Sequence, residues 1–157
     1  MLTRRTLLIA VVVGALLLYG SPSAQAAARA IDDSCPSGQV PPAGFTDVSA
    51  TDVHHDAIDC MVWWRIANGT GSHTYNPSGQ VNRGQMASFI AHLIDATVKV
   101  LPAATSDHFS DDNGNPHEAN INRLAEAGIV SGRADGTYGP TAVVTRDQMA
   151  TFLVHAY

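Results

Sequence analysis

Two arginines, Arg83 and Arg146, occupy the same place in two copies of one sequence pattern, and their setting suits them to anion recognition. Each follows a capping residue, Asn82 or Thr145, with a glutamine three positions beyond the cap, Gln85 or Gln148. That spacing is a capping box, in which the cap oxygen and the glutamine side chain satisfy orphan N–H groups reciprocally. The arginine therefore falls on the first helical residue, where the helix macrodipole favours anions and opposes a cation. Neither propensity nor capping accounts for an arginine there twice. Free backbone N–H groups beside a guanidinium make a compact site for a carboxylate or phosphate. The competing reading is an internal ion pair with Asp47 or Asp111, near the start of each copy, and Asp147 beside Arg146 would weaken the second site.

The two copies lie 63 residues apart. Gly69 aligns with Gly132, Thr74-Tyr75 with Thr137-Tyr138, Pro77 with Pro140, and Gln85-Met86-Ala87 with Gln148-Met149-Ala150. Self-similarity at a fixed period marks one supersecondary unit used more than once. Phe45-Thr46-Asp47 opens the first unit and Phe109-Ser110-Asp111 the second. Ile121, Leu124, Ala125 and Gly128 fall at helical spacing, and Ile58, Met61 and Val62 repeat that stripe. A loop follows each, with Asp135-Gly136 a strong turn signal in the second. After the capping boxes, Met86, Phe89, Ile90, Leu93 and Ile94 predict the buried stripe of one helix, and Met149, Phe152 and Leu153 begin that of the other. The expected fold is all-α: tandem helix-loop-helix repeats packed as a partial pseudo-symmetric bundle, with short extended pieces in the loops. Repeat 1 spans 45–96, a connector 97–108, and repeat 2 109–157.

Residues 1–26 read as a secretory signal peptide: Arg4-Arg5, an apolar run from Leu7 to Leu18, and a small-x-small ending at Ala26, with Ala30 a second cleavage candidate. Thr3-Arg4-Arg5 also fits twin-arginine export, and an uncleaved anchor is the alternative, although the run is shorter than the ~20 residues a spanning helix needs. Cleavage leaves seven basic and fourteen acidic residues, a net charge near −7, which argues against nucleic acid as a partner. After cleavage no membrane segment is expected. Cys35 and Cys60, the only cysteines, are most simply one disulfide in an oxidising compartment. It would pin the 27–44 linker and is worth about 3.5 kcal/mol on the chain-entropy model.

Phe-x-Asp, a helix, Gly-Ile-Val-x-Gly, x-Asp-Gly-Thr-Tyr-x-Pro and Val-Thr-Arg-x-Gln-Met-Ala resemble the S-layer homology motif, over about Phe45 to Tyr157. The first unit departs from it, with Asn82-Arg83-Gly84-Gln85 in place of the usual Thr-Arg-Ala-Glu. The two cysteines with Trp63-Trp64 look like the actinobacterial branch of that family. The resemblance implies a secreted, non-enzymatic module held non-covalently on an anionic, often pyruvylated, cell-wall polysaccharide. By position it makes Arg83 and Arg146 the anion-binding arginines, with Gly69 and Gly132 in the same grooves. Family members use three motifs, and only two are found here. Either two suffice, a second chain completes the bundle, or glycan binding is compromised.

Trp63 and Trp64 could stack on a sugar, but packing over the disulfide or filling the gap of a missing unit also fits them. Repeat-equivalent His54/His117 and His92/His155 suggest shared structural roles, without a zinc-type spacing. Asp111-Asp112-Asn113-Gly114-Asn115 has calcium-loop composition but the wrong glycine offset and no closing glutamate, so it reads as a solvated turn. No metal, cofactor or catalytic motif is expected. The expected function is glycan-mediated attachment at the cell surface; the alternative is an assembly module, as a homo-oligomer or with another chain of the same type.

Overall fold

A computed structural model describes residues 34–97 and 100–157. The expected signal peptide and the linker as far as residue 33 lie outside the described residues. Ser37–Tyr157 forms one compact unit, and of the other, Met1–Pro36, only residues 34–36 are described. Both cysteines are disulfide-bonded and, being the only two, are bonded to each other.

Among the described residues four helices carry the fold: α1 (His55–Trp63), α2 (Arg83–Thr97), α3 (Glu118–Glu126) and α4 (Arg146–Ala156). The extended pieces among the described residues are isolated bridges, Gly71 with Thr74 and Asn82 with Val143. The architecture is all-α, as the periodicity predicts.

Local chemistry explains where these helices begin. Asp52 Oδ1 accepts from the His54 amide at 2.7 Å ahead of α1, and Asn115 Oδ1 accepts from the His117 amide at 3.0 Å ahead of α3. These are the same turn in both repeats, and each aims the chain into a helix. Ahead of α2 the capping box is formed in both directions: the Asn82 amide donates to Gln85 Oε1 at 3.0 Å, and the Gln85 amide donates to Asn82 Oδ1 at 2.8 Å. At α4 the Thr145 amide reaches Gln148 Oε1 at 3.3 Å, while the Thr145 hydroxyl also donates to the Asp147 carboxylate.

The ends are matched as well. Gly128, at φ +72°, does not extend the apolar stripe of α3 but terminates the helix, and the Ile129 amide bonds back to the Leu124 carbonyl at 2.9 Å. Arg65 holds the same left-handed conformation after α1, at φ +58°, with the Ile66 amide on the Met61 carbonyl at 2.8 Å.

Helix α2 is the centre of the bundle, with α3 and α4 packed on it. Met86, Ala87, Ile90, Ala91 and Ile94 are buried against a cluster that includes Phe109, Ile121, Leu124, Tyr138 and Phe152. Full burial of each large side chain stabilises the fold by about 1.5–3 kcal/mol. Two expected core stripes are thinner than their sequence suggests. Leu93 is exposed and Phe89 half-exposed, and on α4 only Phe152 is buried while Met149 and Leu153 face solvent. For α4 the reason is position: among the described helices only α2 packs on it, whereas α2 is covered by two.

The connector is tied down by Arg123 of α3. Its Nη2 donates to Asp95 Oδ1 of α2 at 2.8 Å and to the Leu101 carbonyl at 2.6 Å, and the Leu101 amide donates to Asp95 Oδ1 at 2.7 Å. Burial opposes ionisation of Asp95, but Arg123 and the Leu101 amide outweigh it and hold the carboxyl below its usual range.

Candidate functional site

The loop after each repeat's first helix is built in the same way. Asp47 accepts from the Tyr75 and Asn76 amides at 2.9 and 2.7 Å, and Asp111 accepts from the Tyr138 and Gly139 amides, both at 2.8 Å. The Tyr75 and Asn76 amides depress the Asp47 pKa. For Asp111, burial acts against ionisation, and the Tyr138 and Gly139 amides more than offset it. The opening phenylalanine stacks on the tyrosine of its own loop, Phe45 on Tyr75 and Phe109 on Tyr138, each with centroids 5.3 Å apart. Gly69 and Gly132 have positive φ, and a Cβ there would lie 2.7 Å from the Phe45 ring or 2.5 Å from the Phe109 ring. Both glycines are therefore required by the close approach of loop and ring.

These contacts correct the expected ion pairs. Asp47 and Asp111 serve backbone amides, and neither pairs with Arg83 or Arg146.

Arg83 instead crosses from repeat 1 to the loop of repeat 2. Its Nε donates to the Tyr138 carbonyl at 2.8 Å, and its guanidinium carbon lies 4.7 Å from the Tyr138 ring centroid and 5.3 Å from that of Phe152. The Tyr138 hydroxyl returns a bond to the Arg83 carbonyl at 3.1 Å, and burial pushes its pKa up to about 12. Nε and the guanidinium face are thus engaged, while no hydrogen bond from Nη1 or Nη2 to another described residue competes for a ligand. Arg83 lines a groove of about 140 Å³ together with Ser131, Gly132, Gln148, Thr151 and His155. A guanidinium held by one nitrogen and two rings can present its remaining donors to a carboxylate in bidentate fashion.

Arg146 is placed differently. It is exposed on the first turn of α4, lines neither repeat's groove, and is tied by no ion pair to another described residue. Arg83 is received by the loop of the following repeat, and neither repeat supplies such a loop to Arg146.

The equivalent groove of repeat 1 is larger, about 480 Å³, and holds no arginine. Its floor includes Gly69, Gln85, Phe89 and His92, and α3 adds His117 and Asn120. Ser88 Oγ lies 2.9 Å from His117 Nδ1, and Asn120 Nδ2 donates to Ser88 Oγ at 3.0 Å and to His92 Nε2 at 3.2 Å. Burial, then the nearby His92, lowers the His117 pKa. His92 Nδ1 meets the Ile66 carbonyl at 3.4 Å and His155 Nδ1 the Ile129 carbonyl at 3.3 Å, so these repeat-equivalent histidines do share one role. His54 and His117 do not, since His117 is packed into the groove and His54 is exposed.

Trp63 and Trp64 stack edge to face at 5.1 Å, are 41% and 40% exposed, and lie outside both grooves. Asp112 departs from the reading of 111–115 as a solvated turn: Asp111, Asn113 and Gly114 are exposed, but Asp112 is fully buried and neither of its carboxylate oxygens has a hydrogen-bond partner. Among the described residues no group of three or more ligating side chains could hold a metal ion, and no helix is long and apolar enough to cross a membrane. The repeat pattern contains Tyr138 and Phe152 as matched positions, but nothing local in it shows that they receive an arginine from the other repeat.

The S-layer homology domain family model matches residues 65–87 and 108–150, segments that contain Gly69, Arg83, Gly132 and Arg146. This chain belongs to the S-layer homology domain family. It is 30% identical over 113 residues to an endoglucanase of Bacillus sp. (strain KSM-635), and 25% identical over 113 residues to the S-layer protein sap of Bacillus anthracis. Each match covers 72% of this chain but only 12% and 13% of those proteins, so the chain spans about an eighth of their length. S-layer homology domains generally anchor proteins to the cell wall and are not themselves catalytic, which suits a protein of the cell surface.

Proposed function

We propose that this S-layer homology chain is secreted and binds an anionic cell-wall polysaccharide non-covalently, holding itself or a partner at the cell surface. The observation that carries this reading is Arg83, fixed by Tyr138 and Phe152 at the mouth of the repeat 2 groove with its terminal nitrogens available. A pyruvyl or other carboxylate substituent suits that fork better than a neutral sugar, because two parallel charge-assisted bonds require an anion with two acceptor oxygens side by side. The hydrogen-bonding groups of Ser88, His92 and Asn120 suit sugar hydroxyls in the neighbouring groove.

Co-sedimentation of the purified chain with cell walls tests this. Arg83→Ala is expected to weaken binding at least tenfold, the loss of one or two charge-assisted bonds, while Arg146→Ala leaves it near the wild-type level. Walls stripped of polysaccharide should retain none of the protein. Unchanged sedimentation of Arg83→Ala, with an intact circular dichroism spectrum, would sink the proposal.

A further inference from the structure

The contact between repeats inside the chain has two halves, and a second example of each half is exposed among the described residues, one on α4 and one on α1. Inside the chain, the α2 face of Met86, Ala87, Ile90 and Ala91 is 8%, 0%, 2% and 0% exposed, and α3 is one of the two helices packed on α2. The residues 63 positions later on α4 are Met149, Ala150, Leu153 and Val154. Met149, Leu153 and Val154 are 37%, 48% and 72% exposed, and Ala150 is exposed too. An apolar stripe that one repeat buries is open to water in the other.

The other half is the side of α3 that meets α2, carried by Asn120 and Leu124 with His117 just before the helix. Its equivalents on α1 are His54, Ala57 and Met61, of which His54 and Ala57 are exposed and Met61 half-buried. Helix α1 packs on none of the other described helices. Ile58, like its equivalent Ile121, already points inward, so the uncovered side is the one α3 uses on α2.

We propose that a second copy of this chain covers the α4 face, docking its α1 there as α3 docks on α2. Two of the pairs that change in such a contact remain compatible, whereas the Asn120 bonds to Ser88 and His92 have no counterpart, because Ala57 takes that position. Ser88 with His117 becomes Thr151 with His54, again a hydroxyl beside an imidazole. Gly84, where a Cβ would come within 2.9 Å of the His117 ring, becomes Asp147. That substitution sets the helices slightly further apart and places a carboxylate beside the His54 ring. The association is head to tail, so it is heterologous and grows into a ring or an open filament instead of stopping at a two-fold dimer.

Sedimentation velocity on the purified chain over a range of micromolar concentrations, with two single-face variants, tests this. Ala57 and Val154 are both exposed, so Ala57→Glu and Val154→Glu should keep the wild-type circular dichroism and melting temperature. The wild type is expected to form concentration-dependent oligomers larger than dimers. Each variant alone is expected to be monomeric, with its association midpoint raised at least tenfold. An equimolar mixture of the two should form a dimer and nothing larger, because only one intact α4 face and one intact α1 face remain. A wild type that stays monomeric overturns the proposal. So does an Ala57→Glu variant that still self-associates, since α4 would then be pairing with α4. Wall binding is a separate readout and need not change with either outcome.

Discussion

Arg83 and Tyr138 hold each other across 55 positions of sequence: Arg83 Nε donates to the Tyr138 carbonyl at 2.8 Å, and the Tyr138 hydroxyl donates to the Arg83 carbonyl at 3.1 Å. This reciprocal pair fastens the start of α2 to the loop of repeat 2, and its guanidinium is the same one that lines the groove. Positioning the anion site and joining the repeats are therefore one feature.

Removing the tyrosine hydroxyl should loosen that joint without emptying the groove. Tyr138→Phe is expected to lower stability by about 1 kcal/mol, the net worth of one buried hydrogen bond. Urea denaturation measures it, and wall binding should fall much less than in Arg83→Ala.

Asp112 makes the fold more stable in mild acid. Burial, with the negative charges of Asp107 and Glu118, raises its pKa from 3.8 to about 6. A folded-state pKa above the unfolded value favours the protonated fold, so this contribution is fully present below pH ~4 and is lost as pH rises through ~6. Between pH 5 and 8 the wild type should lose about 1–2 kcal/mol that Asp112→Asn does not. Denaturant midpoints measured across that range for both proteins give the difference directly. The equivalent position in repeat 1 is Val48, which carries no such charge.

Two glycines with similar backbone conformation should respond differently to alanine. Gly132 has φ +71° and stands against the Phe109 ring, whereas Gly128 has φ +72° and open space within 4 Å of where an alanine methyl would stand. Gly128→Ala is expected to cost about 1 kcal/mol of left-handed strain. Gly132→Ala adds a steric clash in a packed site and should cost about 3 kcal/mol in all. Thermal melts of the two variants rank them.

Arg65 is the mirror case, an ordinary residue in the left-handed position that Gly128 fills after α3. Arg65→Gly should raise stability by roughly 0.5–1 kcal/mol, the strain relieved less the added freedom of the unfolded chain. A higher urea midpoint is the expected reading.

Much of this molecule is written locally. The capping box of Asn82 and Gln85, the turn residues Asp52 and Asn115, and the helix stop at Gly128 act within five residues of themselves, so their types and spacing suffice to place the helices. The repeat follows from the sequence for the same reason, and with it the all-α class and the pair of arginines. Which arginine matters is not local. Arg83 is received by Tyr138 and Phe152 because a second repeat follows it in space, while Arg146 has the same kind of cap and the same position but no receiving loop among the described residues. Likewise Asp47 and Asp111 meet amides nearly thirty residues away, and Asp112 is buried beside a neighbour that is not. Those outcomes depend on how the units stack, and stacking is set by long-range packing that identical local sequence cannot encode.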